Sequence, residues 1–514
     1  MSLFRELDPV QLVYVVISLF FASFVYNELK GIYLSRKWHT KSPVKTYRGL
    51  FSLPQLVRSR KAVDSGHFVD YFRDQYIKYG ADTLDFTGFG SKIFFTKNPH
   101  NVKSLFATNF DDWSIGARKR AFKPFLGVGV FVTDGEVWKH SRTMLKPQFS
   151  REQIAHVHSV ESHYKLFSQH IRSYRGQEFD IQPLFMKLTM DASSEFLFGE
   201  SIHLLHDDSI EHEKDTSDIK GKKELAEDLS FLQTYLMFRV MLLDWFWLEN
   251  SKKFSEAIKR VHAFTSQFVD RVLSLTPEER EANSKDGYTF LYELAKVTND
   301  PIVMRDQILN VMLAGRSTTA SLLCSVLLEL SRNPEVYEKL KNEVYEQFGN
   351  GKTKGEEITF ETLKKCTYLR WVLNEGLRMY PPVPSNLRQA VRDTTLPKGG
   401  GPDGESPVLV RKGQYVALHI YSMHRSEEFY GKDALSFRPE RWADLSKIGW
   451  AFMPFGSGPR ICLGQQFALT EASYILVRMV QDFPHIASHN KTYPPRTYSR
   501  STMHYIDGIR ISLY

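Results

Sequence analysis

Cysteine is nearly absent: Cys324, Cys366 and Cys462 are the three in 514 residues. They lie far apart, with no CxxC pair and no Cys/His spacing, which excludes a disulfide framework and a zinc site and points to a reducing compartment. No internal repeat and no long Gly/Ser or Pro linker interrupts the chain, so neither an array nor a string of tethered domains is expected. The formal net charge is +8, yet the lysines and arginines are scattered, with no basic-aromatic tract and no nucleic-acid motif. That excludes nucleic acid as a partner and favours a membrane surface or an acidic protein. Also missing is a phosphate-cradling loop or a flavin or nicotinamide fingerprint after a strand. Any redox chemistry here must draw its electrons from another protein.

What is present is ample core material, with 42% apolar and 13% aromatic residues, and one long uncharged run. Val10 to Tyr26, "VQLVYVVISLFFASFVY", is just long enough to cross a bilayer as a helix. Arg5, Glu6 and Asp8 precede it, and Lys30, Arg36, Lys37, Lys41 and Lys45 follow. This charge bias puts everything after the run in the cytosol. A cleaved signal peptide fits less well, because the first residues are not clearly basic and no small-x-small cleavage site stands out. The expected organisation is a short luminal N-terminus (1–9), a transmembrane anchor (10–26), a linker (27–55) and one large domain (56–514).

That domain reads as helical runs punctuated by Pro and Gly. The charged stretch from Asp207 to Lys223 reads as a solvated loop. Thr394 to Ile420 has turn clusters followed by alternating β-type residues, which predicts a hairpin. Between Pro301 and Pro334 no proline intervenes, and Ile308, Val311, Met312, Leu322, Leu323, Val326, Leu327 and Leu330 recur at helical spacing. The helix they predict is about 45 Å long. It contains "AGRSTTA", Ala314 to Ala320. A mid-helix glycine costs roughly 1 kcal/mol against alanine, so Gly315 needs a reason, either close approach of a flat ligand or ordinary helix packing. Thr318 can turn its hydroxyl onto the carbonyl four residues back.

Cys462 lies in "FGSGPRICLG", Phe455 to Gly464, between a tight glycine turn and the start of a helix near Gly464. Backbone N–H groups and the helix dipole there favour a thiolate. Such a cysteine is a nucleophile, a metal ligand or an inert buried thiol. As an axial ligand of haem iron it needs no neighbouring base.

The string resembles the Phe-x-x-Gly-x-Arg-x-Cys-x-Gly loop of the cytochrome P450 superfamily at every fixed position. The resemblance implies a mainly α fold with a smaller β part (α+β) and haem b held by Cys462, with Phe455, Gly456 and Gly464 shaping the loop. "NEGLR" and "FRPERW" then imply that Glu375, Arg378 and Arg441 form a buried structural triad affecting folding and haem retention. Trp138 and Arg142 of "WKHSR", with Arg460 and Arg388, are implied haem-propionate partners. "AGRSTTA" is similar to the signature over the oxygen site, in which Ala314 and Gly315 give room and Thr318 relays protons. One position departs: Ser317 stands where the family usually has an acid. That leaves two readings, a monooxygenase relaying protons through Ser317, Thr318 and water, or a relative that uses or isomerises peroxides or merely binds haem.

The resemblance further implies electrons from a membrane-bound NADPH-cytochrome P450 reductase, helped by cytochrome b5, so NADPH acts only indirectly. It places the protein in the endoplasmic reticulum membrane as a single-pass protein. The runs "DGEVWKHSRTMLKPQF", "TTLPKGGGPDGESP" and "CLGQQFALTEASYILVRMV" are most similar to fungal microsomal alkane and fatty-acid hydroxylases. Terminal hydroxylation of a long aliphatic chain is the expected activity, with another lipophile, a terpenoid or polyketide intermediate, as the alternative.

Overall fold

In a computed structural model of the chain, the residues described are 8–46, 53–88, 91–149, 159–207, 221–285, 289–353, 355–445, 447–499 and 502–514. The expected luminal residues 1–7 and most of the charged stretch from Asp207 to Lys223 lie outside them.

Asp8 caps the first helix, accepting from the Val10 amide at 3.1 Å, with Pro9 at the first helical position. This anchor helix runs Pro9–Lys37, eleven residues past the expected end at Tyr26. Apolarity stops at Asn27, but the backbone hydrogen-bond ladder does not. The expected 27–55 linker is therefore largely structured. It holds the end of the anchor helix, strand β1 (Val44–Lys45) and the start of a helix at Leu53–Ser65.

Asp300 caps the long helix, its carboxylate accepting from the Ile302 and Val303 amides. The helix covers Pro301–Arg332, about 48 Å at 1.5 Å per residue, and stops before Pro334. Its two halves serve two cores. Met304, Ile308, Leu309 and Met312 pack with Leu232, Leu236, Phe264 and Phe268 of the helices Lys222–Met241 and Lys252–Ser274. Leu322, Leu323, Val326, Leu327 and Leu330 pack with Leu373 and Leu377 of the helix Thr367–Met379 and with Ile475 and Leu476 of the helix Gln465–Asp482. Each fully buried leucine contributes roughly 1.5–3 kcal/mol of transfer free energy.

The β part continues with β2 (Thr83–Gly88), β3 (Ser91–Thr96), β4 (Trp113–Ser114), β5 (Phe179–Asp180), β6 (Asn386–Ala390), β7 (Thr394–Gly400), β8 (Ser406–Val410) and β9 (Tyr415–Leu418). One six-stranded sheet has the order β1-β2-β3-β9-β6-β4. The predicted hairpin forms only as β7 with β8. Its expected last strand, β9, instead lies inside the large sheet, parallel to β3 and antiparallel to β6. All four β9 side chains are buried, as a central strand covered on both faces requires.

The helix at Thr367–Met379 crosses the long helix so closely that a Cβ at Gly376 would lie 2.6 Å from Val326 Cγ2. On an open helix Gly→Ala gains roughly 1 kcal/mol; here the clash reverses the sign. Gly376→Ala is expected to cost about 1–3 kcal/mol in chemical denaturation, and Val326→Ala in the same background to be less costly than the two single changes added together.

Candidate active site

Hydrogen bonds and left-handed glycines shape the cysteine loop. The Cys462 amide donates to Phe455 O at 2.9 Å and the Gly456 amide to Met453 O at 3.1 Å. Gly456 and Gly458 have φ of 70° and 65°, which side-chain-bearing residues rarely adopt. At Gly458 a Cβ would also meet Phe106 O at 1.8 Å. Gly464 then caps the helix Gln465–Asp482, as the sequence predicts. Cys324 and Cys366 are buried, but Cys462 is exposed, although enough protein surrounds it for desolvation to raise its thiol pKa. A sulfur both accessible and closely surrounded lines an internal space. The Gly464 backbone and Arg142 favour the thiolate, but burial outweighs them.

The long helix borders the same space. Between Asp306 and Ser331 the residues that are not buried are Val311, Leu313, Ala314, Gly315 and Thr318. Four of them, Val311, Ala314, Gly315 and Thr318, fall at i, i+3, i+4 and i+7, one face of a helix. Leu463, beside the cysteine, packs on the core that also takes Val311 and Leu313. Thr318 Oγ1 donates to Ala314 O at 2.8 Å, as its sequence position suggests, while the helix stays α-helical throughout. For Gly315 the packing reason holds: a Cβ would come within 3.2 Å of Ser193 Oγ, on the adjacent helix Gln182–Phe198. Ser317 is buried and accepts from Gln233 Nε2 at 3.2 Å. Its hydroxyl is thus bonded toward the helix Lys222–Met241, whereas Thr318 lies on the open stripe.

Four arginines converge nearby. Arg460 donates to Asp134 Oδ1 at 2.8 Å and Thr133 O at 2.9 Å, and its guanidinium lies 4.3 Å from the Trp138 ring centroid. Arg142 lies 5.9 Å from the same ring. Arg388 is buried on β6, bonded to Asn386 Oδ1 at 2.8 Å and set 4.3 Å over Phe106. Arg118 is the fourth, and its Nε is buried with no partner. Burial lowers the pKa of all four, Arg118 and Arg460 to about 10, and for Arg388 and Arg460 their mutual repulsion with Arg118 adds to it. Asp134 is the carboxylate acting against this. The cluster is short of negative charge, and the two carboxylates of a haem edge fit that deficit through charge-assisted hydrogen bonds. Among the described residues no group of three His, Cys, Asp or Glu side chains is placed to hold a metal ion, so an iron bound to Cys462 must bring its other ligands with it, as haem does.

Behind the loop, Glu375, Arg378 and Arg441 are all buried. Arg378 grips Glu375 with Nε and Nη2 at 2.9 and 2.8 Å, and Arg441 Nε reaches Glu375 Oε1 at 2.8 Å. Arg378 Nη1 also donates to His424 O, and His424 Nε2 accepts from the Met453 amide at 3.0 Å, where the cysteine loop begins. This network joins the triad to the loop.

The sequence model of the family described as Cytochrome P450 matches residues 51–505. The chain is a cytochrome P450. It is 49% identical over 492 residues to Cytochrome P450 52A12 of Debaryomyces hansenii, covering 95% of each chain. To Cytochrome P450 52A3-A of Candida maltosa it is 49% identical over 468 residues, covering 90% of this chain and 89% of the relative. The crystal structure of the cytochrome P450DA heme domain shares the fold at a TM-score of 0.73 and 20% identity, over 92% of this chain and 96% of that one. As a member of the family the protein is a haem-thiolate monooxygenase.

Sequence reasoning missed three residues of this P450 site. Arg118 is hidden in the basic run "ARKR", which reads as a solvated helix face. Gln233 carries no local signal. Glu471, in the helix after Cys462, is buried, and Thr319, next to the Thr318 hydroxyl, is its hydrogen-bonding neighbour. Burial raises its carboxyl from 4.5 to about 7, against the opposing pull of Thr319 and His163. The raised pKa gives the folded state stability that is complete below about pH 4.5 and lost as pH rises through about 7. Over that window the loss is roughly 3 kcal/mol. Glu471→Gln is expected to flatten this dependence, gaining on the wild type more at pH 8 than at pH 5 in thermal unfolding of the holoprotein.

Proposed function

We propose that this cytochrome P450 hydroxylates a long-chain aliphatic substrate, an n-alkane or a fatty acid, at its terminal carbon. The observation that carries this reading is the similarity to the fungal 52A cytochromes over nearly the whole chain, joined to the resemblance of the β7–β8 insertion and the Cys462 helix to fungal alkane and fatty-acid hydroxylases. Haem b bound through Cys462 supplies dioxygen activation, with electrons from a separate NADPH-dependent reductase and cytochrome b5 as an accessory donor.

The chain's own residues do the rest. Arg118, Arg142, Arg388 and Arg460 neutralise the haem edge, and Trp138 holds Arg460 in place by stacking. Val311, Ala314 and Gly315 offer a small, apolar surface to an alkyl chain, and the Thr318 hydroxyl is the proton-handling group on that surface. With Ser317 engaged by Gln233, proton delivery falls to Thr318 and ordered water. Lys139, His140 and Lys146 are exposed beside Trp138 and Arg142 and suit an acidic redox partner. The anchor helix fits single-pass insertion in the endoplasmic reticulum membrane with the catalytic domain in the cytosol.

The absence of an acid at Ser317 favours a second reading, a peroxide-using or non-catalytic haem-thiolate protein. Full-length holoprotein with reductase and NADPH is expected to convert dodecane or lauric acid to the terminal alcohol. Product from terpenoid or polyketide lipids alone would point to the other lipophile. A normal reduced carbon monoxide difference spectrum with no product and no NADPH consumption from any lipid would make the protein a binder. Ser317→Asp, beside Gln233, is expected to raise the product formed per NADPH; no gain, or a loss, contradicts a handicapped relay.

A further inference from the structure

The anchor helix ends against the body of the protein, with its last residues, Arg36 and Lys37, exposed. Lys30 Nζ lies 2.7 Å from Asp393 Oδ2, and Arg411 Nε lies 3.1 Å from Asp393 Oδ1, which also accepts from the Lys412 amide at 2.9 Å. Arg411 Nη1 reaches across to the helix backbone, donating to Asn27 O at 2.8 Å. It has room because residue 31 is glycine: a Cβ there would sit 2.7 Å from Arg411 Nη1. That supplies a reason for a glycine inside a helix, where it costs roughly 1 kcal/mol. Burial works against the Asp393 carboxylate, but hydrogen bonds from Lys30, Lys412 and Arg411 hold its pKa down at about 2, so this carboxylate is ionised throughout the physiological range. Beyond the helix the chain stays on the β7–β8 hairpin, with the Lys41 amide on Pro407 O at 2.9 Å and the Gly401 amide on Ser42 O at 3.0 Å.

The lock has a defined height. About 20 helical residues span the hydrocarbon core, so a span beginning at Val10 reaches its far edge at Lys30. A few residues along from Arg411, the Tyr415 hydroxyl donates to Asp244 Oδ1 at 3.2 Å, and Arg120 pairs with the same carboxylate. Asp244 opens a short segment whose Trp245, Trp247 and Leu248 are exposed, with Met241 exposed just before it. Exposed tryptophans, with Arg120 paired to the neighbouring Asp244, suit the headgroup layer of a bilayer.

We propose that Asp393, Lys30 and Arg411 clamp the anchor helix to the catalytic body, leaving no flexible tether, and thereby hold Trp245, Trp247 and Leu248 against the same lipid surface that the anchor crosses. The inference rests on the anchor reading of Val10–Lys37 and adds a fixed orientation to it. The clamp gives the bilayer two contacts with one rigid unit, so that release of the clamp frees the second contact without removing the first.

Full-length holoprotein in phosphatidylcholine vesicles with brominated acyl chains provides the test. Wild-type tryptophan fluorescence is expected to be quenched, with most of the effect absent in Trp245→Phe/Trp247→Phe. Lys30→Met, which leaves the body untouched, and Asp393→Asn are expected to lose that same component. Both should also be cut by trypsin after Arg36 or Lys37 at least about tenfold faster, as release of the clamp lets the helical backbone at these exposed residues unwind into a cleavable form. Vesicle flotation and the reduced carbon monoxide spectrum should match the wild type. Quenching and cleavage unchanged in both variants, with flotation intact, overturn the clamp. A wild-type chain that does not float overturns the anchor reading and the clamp with it.

Discussion

Glu375 is the charge on which the rest of the site depends. One carboxylate, fully removed from solvent, takes hydrogen bonds from Arg378, Arg441, the Trp442 indole and the Arg438 amide. Burying such a group unpaired is prohibitive, and removing one partner of a buried pair costs about 3–5 kcal/mol. Because both guanidinium groups also satisfy backbone carbonyls, at His424, Ala434 and Ser436 for Arg378 and at Tyr430, Asp433 and Ser436 for Arg441, the network fixes a stretch of chain whose own helical turns, Ile420–Met423 and Glu427–Tyr430, are a single turn each. His424 passes that order to Met453, and from there the loop turns through Gly456 and Gly458 to present Cys462.

The front of the site has the opposite imbalance. Within the triad each charge has its partners; in front, four arginines face one carboxylate and a thiol whose pKa burial raises. Such a site is incomplete on its own, and a dianionic cofactor carrying a metal cation answers both deficits at once: carboxylates for the arginines, a cation for the sulfur. The long helix presents Val311, Ala314, Gly315 and Thr318 on this side and does so without a break in its α-helical course.

Much of this was legible in the sequence because it is written in local terms. Prolines at 301 and 334 delimit the long helix, and glycines with positive φ mark the cysteine loop. Pairings set by distant chain were not. β9 follows a hairpin in sequence but pairs with β3 and β6, which no local alternation reveals. The anchor helix outlasts its apolar run because backbone hydrogen bonding is indifferent to Asn27, Glu28 and Lys30, and because Asp393 and Arg411, remote in sequence, hold its end. Arg118 sits in a charged run, the usual mark of a solvated face, and only the packing around it leaves it half-buried with its Nε shut away from solvent. The partners of Ser317 and Thr318 were likewise not legible: adjacent helical residues point about 100° apart, and Ser317 accepts from Gln233 while Thr318 donates to Ala314 O.

The central claim, that the buried Glu375 network positions the thiolate ligand, is tested most directly by Arg378→Lys. Lysine keeps the charge but cannot grip Glu375 with two parallel bonds and reach His424 O as well. The reduced carbon monoxide difference spectrum, normalised to folded protein by far-ultraviolet circular dichroism, is the measurement. The account predicts loss of most thiolate-ligated haem from protein that retains its helix content. An unchanged yield of thiolate-ligated haem per folded chain would contradict it.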